Sequence, residues 1–288
     1  MTSQSEVAPL RRVLLKHARD AFASQARVDE QWRALGYVSA PAYDAACREF
    51  DAFAGLLEEL GVALEWMPAD DVGLDSIYVR DASIVCDDGV VLCRMGKSAR
   101  AGEPAAQRDH LTTIGARVRG AVDGDATIEG GDVAWLDRRT LAVGQGYRTN
   151  DAGLAQIRAL LPAEDDVVPV PLPHWKGPGD VFHLMSMLSP LAEKLLLVYS
   201  PLLPVRFRQS LLERGFELVE VADEEWDSMA CNVLAVAPSV AVAVEGNPVT
   251  RRRMEAAGVE VHTYAGGEIS VKGCGGPTCL TRPLERGG

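Results

Sequence analysis

Four stretches of the chain share one pattern of apolar and polar positions. Each has two β-prone apolar runs separated by a short polar turn, followed by a stretch with helical spacing. Hairpins are predicted over residues 77–94, 127–143, 181–199 and 229–244, and helices over 104–119, 151–160, 205–214 and 248–257. Short closing strands are predicted at 167–171, 217–221 and 259–264. The hairpins start roughly 50 residues apart, a spacing typical of repeated structural units.

The segment before the first hairpin has a different pattern. A strand is predicted at 11–16, helices at 28–37 and 43–60, and a second strand at 62–67. A fifth unit can be made only by joining the C-terminal strand near Cys279 to the N-terminal strand, a join that would fasten a closed ring. We therefore predict one domain over residues 1–288, an α/β propeller of five ββαβ-like units with five-fold pseudosymmetry. The alternative is a doubly wound parallel sheet.

Composition sets limits on the partners of the protein. With 47% hydrophobic and 24% charged residues, a chain of 288 residues can bury a large core. The net charge of −12 argues against a nucleic-acid partner and mildly favours cationic ligands, although solubility alone accounts for such acidity. No apolar run reaches the roughly 18 to 20 residues that span a bilayer, so no membrane partner is expected. The oligomeric state, monomer or homo-oligomer, stays open.

The six cysteines show neither CxxC pairs nor the spacing of a metal site, and no apolar leader begins the chain. We therefore expect reduced thiols in a cytoplasmic protein. Cys279 differs from the other thiols, because it follows a glycine turn and lies between the hydroxyls of Thr278 and Thr281. A structural cysteine would more often lie inside an apolar strand, as the pattern predicts for Cys86 and Cys93. The setting of Cys279 predicts a nucleophile.

Polar side chains recur early in the first strand of the predicted units, where a strand would otherwise present core residues. They are Asp81 in the first unit, Glu129 beside two glycines in the second, His183 in the third and Cys279 in the fifth. Taken singly, a core histidine or a β-bulge at the glycine pair is at least as common. Pseudosymmetry would bring all four to one central point, and together they indicate an active site.

These groups suit attack on a guanidinium, a stable cation whose carbon needs a strong nucleophile held in line. The thiolate of Cys279 would be that nucleophile, and Asp81 would grip the guanidinium through charged hydrogen bonds. Glu129 would serve both the substrate and His183. The bound cation would lower the pKa of the thiol. His183 would protonate the departing amine and then activate water to hydrolyse the S-alkylthiouronium adduct. This chemistry needs no metal or organic cofactor.

At these residues the chain resembles the guanidine-modifying superfamily of α/β propellers, or penteins, which includes arginine deiminases, amidinotransferases and dimethylarginine dimethylaminohydrolases. The resemblance covers residues 66–283 and rests on Glu-Gly-Gly-Asp at 129–132, His-Leu at 183–184 and the C-terminal cysteine. Matches at 74–76 and 146–150 favour the dimethylarginine branch. The resemblance implies these substrate-binding residues: Arg94 and Arg148 for a carboxylate, Asp75 for an α-amino group, and Asp132 within the Glu-Gly-Gly-Asp motif.

Two positions bear on the choice of a small cationic guanidino substrate. Arg80 stands where the dimethylarginine enzymes usually have an acidic residue, and in this it looks like arginine deiminases and amidinotransferases. Met185 stands where arginine deiminases carry a second aspartate, and a thioether accepts N-methyl groups but offers no partner to an unsubstituted amine. We predict hydrolysis of an N-methylated arginine to citrulline and a methylamine. The alternatives are an arginine deiminase or dihydrolase, an amidinotransferase and a noncatalytic pentein-like binding protein.

Overall fold

The computed structural model describes residues 3–179 and 182–287. Strands in these ranges form five three-stranded sheets, and in each sheet the middle strand runs antiparallel to one neighbour and parallel to the other. The strands are β1 (Leu10–Leu15), β2 (Ala63–Trp66), β3 (Ser83–Cys86), β4 (Gly89–Leu92), β5 (Val118–Ala121), β6 (Val133–Asp137), β7 (Thr140–Gln145), β8 (Asp166–Pro171), β9 (Leu188–Ala192), β10 (Leu195–Val198), β11 (Glu217–Glu220), β12 (Leu234–Ala237), β13 (Val240–Val244), β14 (Glu260–Tyr264) and β15 (Arg282–Arg286). The predicted α/β fold of five repeated units is confirmed.

Four of the sheets are built from consecutive strands, and each has a helix between its second and third strands. The helices are α1 (Ala18–Phe22), α2 (Gln25–Leu35), α3 (Tyr43–Glu59), α4 (Glu103–Thr113), α5 (Asp151–Leu160), α6 (Val205–Glu213) and α7 (Pro248–Ala256). The fifth sheet joins the chain ends, since β15 pairs with β1 and β1 pairs with β2. The predicted joining of the ends is confirmed. Within the described ranges, no helix combines the length and apolarity needed to cross a bilayer.

Three helices occupy the fifth unit, where each other unit has one. The longest, α3, buries Phe50, Phe53 and Leu57 on one face. Phe53 packs on Tyr264 of β14, with ring centroids 4.6 Å apart. The apolar face of α3 is therefore part of the core, and its contact with Tyr264 joins the N-terminal helices to the neighbouring unit.

The helix predicted over 104–119 is shorter than expected, and a strand follows it. α4 ends at Thr113, and Gly115 takes a left-handed conformation with φ 76° that ends the helical turn. The chain then enters β5, which pairs in parallel with β4. The sequence pattern did not reveal this closing strand, because Val-Arg-Gly-Ala lacks the apolar character of the other strands.

The polar residues predicted inside the first strands lie before them instead. They are Asp81, Glu129, His183 and Cys279, which precede β3, β6, β9 and β15. Short 3₁₀ turns at Gly130–Asp132 and Leu184–Ser186 lead into the second and third units. The prediction was wrong on this point, because the alternation of apolar and polar residues does not distinguish a polar turn from the start of a strand. Residue 181, the predicted start of the third hairpin, lies outside the described residues.

Candidate active site

The turns before the first strands of units one, three and five meet around one cavity. Asp81, His183 and Cys279 line it. Glu129 is hydrogen-bonded to the Nε2 atom of His183. The wall also contains residues that the sequence did not single out, including Tyr78, Lys97, Arg100 and Asn232. The structure therefore brings the four predicted central residues together, three of them at the surface of the cavity.

Cys279 is half-buried in the turn before β15. Its sulfur accepts a hydrogen bond from Asn232 Nδ2 (3.1 Å), and Asn232 Oδ1 accepts the backbone N–H of Thr278 (3.0 Å). Burial, reinforced by the charge of Asp81, raises the pKa of the Cys279 thiol to about 12, although Asn232 and two nearby arginines oppose this. The cysteine is therefore a neutral thiol at pH 7 unless a further positive charge enters the cavity.

His183 and Glu129 form a buried charged pair. The distance from His183 Nε2 to Glu129 Oε2 is 2.8 Å, and His183 Nδ1 lies 4.0 Å from Asp81 Oδ1. Burial favours the neutral imidazole, but the carboxylates of Asp81, Asp132 and Glu129 outweigh it and raise the pKa of His183 to about 9. Burial also opposes the charge on Glu129, yet the bond to His183 holds the pKa of Glu129 below its ordinary range. At neutral pH, His183 is an imidazolium that can donate a proton.

The carboxylates of Glu129 and Asp132 are engaged by the protein itself. Glu129 Oε1 accepts the backbone N–H groups of residues 96–97, at 2.9 and 3.2 Å. Asp132 accepts the hydroxyl of Thr149 (2.6 Å) and the backbone N–H of Leu184 (3.0 Å), and burial raises its pKa to about 6. Within the described chain, neither carboxylate lines the cavity. Both hold the histidine turn in place. The predicted contact of Asp132 with substrate is therefore not supported by its position, and of the two roles predicted for Glu129 the position supports the contact with His183 but not the one with substrate.

Asp81 presents one carboxylate oxygen for a ligand. Its Oδ2 accepts a hydrogen bond from Arg100 Nη1 at 2.6 Å, whereas its buried Oδ1 has no hydrogen-bond partner among the described residues. Arg100 is held in turn by two bonds of 2.8 Å to Glu103. Because Glu103 holds Arg100 in place, the hydrogen bond from Arg100 fixes the orientation of Asp81. The other carboxylate oxygen, Oδ1, is then available to a bound cation. Sequence reasoning missed Arg100 because it ends a short 3₁₀ turn, Ser98–Arg100, which has no repeating pattern of apolar residues.

Gly131 makes the close approach of two of these groups possible. A Cβ atom there would lie 2.5 Å from His183 Nδ1 and 2.7 Å from Asp81 Oδ1. Such distances are shorter than real carbon contacts, so a larger residue would push the histidine or the aspartate away. The glycine pair in the Glu-Gly-Gly-Asp motif therefore serves the packing of the site.

Asp81, Glu129 and His183 are also a group of potential metal ligands, with one donor atom from each within 4.8 Å of the others. A metal ion would need an unprotonated ring nitrogen on the histidine. The surrounding carboxylates instead raise the pKa of His183 to about 9, even though burial works against them. Without a metal ion, the ring of His183 therefore carries a proton at pH 7.

A second carboxylate of the cavity wall, Asp75, is paired with Lys97. Lys97 Nζ lies 2.6 Å from Asp75 Oδ2 and donates to the carbonyl oxygen of Leu35, also at 2.6 Å. Arg148 lines the cavity, as the predicted carboxylate contact requires. Arg94 is exposed, donates to a backbone carbonyl at 3.4 Å and is absent from the wall as far as the described residues define it. The cavity has cationic residues, but the predicted role of Arg94 is not supported by its position.

Arg80 and Met185 meet in the wall of the cavity. Arg80 Nη2 lies 2.7 Å from Glu6 Oε1 and 3.2 Å from the sulfur of Met185. Burial opposes the charge on Glu6, but Arg80 lowers the pKa of Glu6 below its ordinary value. Arg80 therefore has its counter-ion within the protein, supplied by the N-terminal segment, and Met185 contributes a thioether to the wall.

The five-sheet fold matches solved structures over nearly the whole chain. A dimethylarginine dimethylaminohydrolase (DDAH) of Pseudomonas aeruginosa, solved as a cysteine-to-serine mutant complexed with citrulline, is 21% identical with a TM-score of 0.76, covering 95% of this chain and 98% of that chain. SxtG, an amidinotransferase of the saxitoxin biosynthetic pathway from Microseira wollei, is 17% identical with a TM-score of 0.82, covering 100% and 97%. The fold is that of the guanidine-modifying α/β propellers, the penteins.

The chain belongs to the family described as N,N dimethylarginine dimethylhydrolase, eukaryotic, whose model matches residues 21–283. The uncharacterized protein YkgA of Bacillus subtilis is 28% identical over 240 residues, 82% of this chain and 80% of that protein. The arginine deiminase of Mycobacterium marinum is 29% identical over 247 residues, which are 73% of this chain and only 60% of the length of that enzyme. The predicted superfamily is confirmed, and the chain is similar to guanidine-modifying hydrolases.

Proposed function

We propose that this protein hydrolyses the guanidinium group of an arginine-type substrate, with Cys279 as the nucleophile. The observation that carries the proposal is the open, buried Oδ1 of Asp81 in the same cavity as the thiol. A guanidinium bound to that oxygen is held beside the sulfur by a charged hydrogen bond. Membership of the N,N dimethylarginine dimethylhydrolase family supports the same chemistry.

The substrate itself activates the nucleophile. Burial raises the pKa of Cys279 to about 12, so the free protein holds almost no thiolate at neutral pH. A guanidinium at Asp81 brings a positive charge next to the sulfur and stabilises the thiolate, together with the hydrogen bond from Asn232. The thiol proton leaves to solvent as the cation binds. This coupling limits reaction to the time when a substrate is present.

The reaction then proceeds in two steps. The thiolate attacks the guanidinium carbon, a C–S bond forms, and the imidazolium of His183 gives its proton to the departing amine as the C–N bond breaks. The neutral histidine next takes a proton from water, whose oxygen attacks the carbon of the thiouronium. The C–S bond breaks and the sulfur leaves as thiolate, while the proton remaining on the added oxygen passes to solvent, so that a neutral ureido product is left. Glu129 orients the histidine throughout and stabilises its charged form.

For the group on the guanidinium we propose an N-methyl substituent, so that the products are a citrulline-type urea and a methylamine. Met185 supports this, because its thioether is part of the cavity wall and accommodates a methyl group better than an unpaired N–H. The family match points the same way. On an arginine scaffold this reaction is that of a dimethylarginine dimethylaminohydrolase.

An arginine deiminase is the second candidate, favoured by the similarity to the Mycobacterium marinum enzyme. Arg80, which suggested this branch and the amidinotransferases, has Glu6 as its partner and contacts Met185. Its charge is thereby compensated inside the protein. The position of Arg80 therefore weakens the original reason for favouring an unsubstituted substrate.

A competition assay tests the proposal. Purified protein receives methylated and unmethylated guanidino substrates at equal concentration, and ureido product, methylamine and ammonia are quantified by mass spectrometry. We expect methylamine to be the main amine and Cys279→Ser to abolish turnover. Met185→Asp should shift relative kcat/KM towards the unmethylated substrate, and the apolar control Met185→Leu should not. Ammonia as the main product would make the protein a deiminase, and transfer of an amidino group to an added amine would make it a transferase.

A further inference from the structure

Lys97 places its ammonium group in the cavity wall, against Asp75. Their charged atoms lie 2.6 Å apart, and the two side chains are only 17% and 7% exposed. The same ammonium donates to the carbonyl oxygen of Leu35, the last residue of α2, at 2.6 Å. A carboxylate and a carbonyl oxygen at these distances form a site for a primary ammonium group. In this protein a side chain of the chain itself fills that site.

This pairing restricts the ligands that the cavity can hold. Among the described residues that line the cavity, Asp75 and Asp81 are the carboxylates. A guanidinium takes the open oxygen of Asp81, but Asp75 already has a counter-ion. A second cation on the ligand would have to expel Lys97 from a largely buried ion pair or lie beside it as a like charge. Both arrangements disfavour a ligand with an α-ammonium group.

A further cation in the wall favours a ligand anion. Arg148 lines the cavity, and its Nη1 lies 3.5 Å from Glu129 Oε1; a guanidinium binds a carboxylate through charged hydrogen bonds. We propose, building on the proposed function at the guanidinium end, that the substrate is a guanidino carboxylate whose α-carbon carries no ammonium group, and that Lys97 sets this choice. The resemblance implies that Asp75 binds the α-amino group of a substrate. In this protein the ammonium group of Lys97 occupies that position.

The kinetic test compares arginine with δ-guanidinovalerate, which is arginine with hydrogen in place of the α-ammonium group. The Nω-methylated forms of both compounds are measured in parallel. The two members of each pair have the same guanidinium group, so any preference for or against N-methylation cancels in the ratio of their kcat/KM values. For the wild-type protein we expect kcat/KM to be at least about tenfold higher for the deaminated member of each pair, a ratio that corresponds to a single unfavourable charge contact.

Variants assign the ratio to Lys97. Lys97→Met keeps the side-chain length but removes the charge, so Asp75 is left without its counter-ion. The α-ammonium group of a substrate can then pair with Asp75, and the ratio of kcat/KM values should move about tenfold or more towards the α-ammonium substrates. Lys97→Arg keeps the charge and should keep the preference for the deaminated substrates. Lys194→Met is the matched control: Lys194 is exposed and bonded to a backbone carbonyl away from the cavity, so the ratio should not change.

Calorimetric binding to the Cys279→Ser protein separates this inference from the proposed function. If δ-guanidinovalerate binds more tightly than arginine while the wild-type protein turns over no guanidino compound, the role of Lys97 stands and the hydrolase proposal fails. If the protein hydrolyses guanidino substrates but prefers arginine in both binding and kcat/KM, the role of Lys97 is overturned. An unchanged ratio in folded Lys97→Met protein overturns it as well. The preference between δ-guanidinovalerate and arginine is measured on the wild-type protein. The inference can therefore be refuted even if the Lys97→Met protein does not fold.

Discussion

The ionisation of Cys279 can be tested by comparing two alkylating agents, one neutral and one cationic. Burial raises the pKa of this thiol to about 12, so roughly one molecule in 10⁵ carries the thiolate at pH 7. A unit positive charge at about 4 Å, with an effective dielectric constant near 20, stabilises the thiolate by about 4 kcal/mol. That energy increases the thiolate fraction about a thousandfold. Iodoacetamide brings no charge, whereas a haloacetamidine brings a cation that Asp81 can hold.

The rate of modification is followed by mass spectrometry between pH 6 and about pH 10, with a free thiol as reference for the intrinsic reactivity of each reagent. We expect the neutral reagent to modify Cys279 slowly, with a rate that still rises at the alkaline end. The cationic reagent should react about 10² to 10³ times faster than the reference ratio predicts. A plateau with the neutral reagent below about pH 8 would show a preformed thiolate and refute activation by the substrate.

Replacing Asp81 by asparagine sharpens this test, because the two reagents should respond in opposite directions. Asp81 raises the pKa of Cys279 after burial, so Asp81→Asn should leave the neutral reagent equally fast or faster. The same change removes the charged acceptor for the cationic reagent, which should slow down. Asp71→Asn is the control, since Asp71 is an exposed aspartate 4.0 Å from Arg27 and should change neither rate. Parallel changes with both reagents would contradict the role given to Asp81.

Three further variants address the groups around Cys279 and His183. Asn232→Ala removes the hydrogen bond to the sulfur of Cys279 and should lower kcat/KM about 10- to 100-fold, the value of a hydrogen bond to a charged group; a loss below twofold would contradict that role. Glu129→Gln removes one of the three carboxylates that, with Asp81 and Asp132, raise the pKa of His183 to about 9. The alkaline limb of the pH–rate profile, where the imidazolium loses its proton, should therefore move to lower pH. If the limb does not move, it reports the ionisation of another group. Gly131→Ala puts a methyl group 2.5 Å from His183 Nδ1 and should abolish turnover while circular dichroism stays native.

Much of the site chemistry could be predicted from residue type and position in the repeat. Asp81, His183 and Cys279 each precede the first strand of a unit, and the pseudosymmetry of the fold brings such positions together around the cavity. A carboxylate, an imidazole and a thiol at equivalent points already suggest attack on a cationic carbon. The prediction located the residues correctly along the chain but put them inside the strands, because a polar turn and an interrupted strand look alike in the apolar pattern.

The partners of these residues could not be predicted in the same way. Arg100 holds Asp81, Asn232 donates to Cys279, and Lys97 fills the site beside Asp75. Each comes from a loop or turn, with no helical or strand period around it, so the sequence carries no signal for the direction of its side chain. Arg94 and Arg100 are six positions apart in one segment, and only the path of the loop decides which of them reaches the cavity.

The sequence by itself determined the units of the fold, because hairpins and amphipathic helices depend on neighbouring residues and on the alternation of apolar and polar positions. It also determined the closure of the fifth sheet, since a strand at each end of the chain had no other partner. The tertiary structure alone decided which charges are compensated. Asp75 and Asp81 are both carboxylates in the wall of one cavity. Lys97 forms an ion pair with Asp75, whereas Oδ1 of Asp81 has no hydrogen-bond partner among the described residues. That difference arises from contacts between distant segments, whose distances and burial set the strength of each charge interaction.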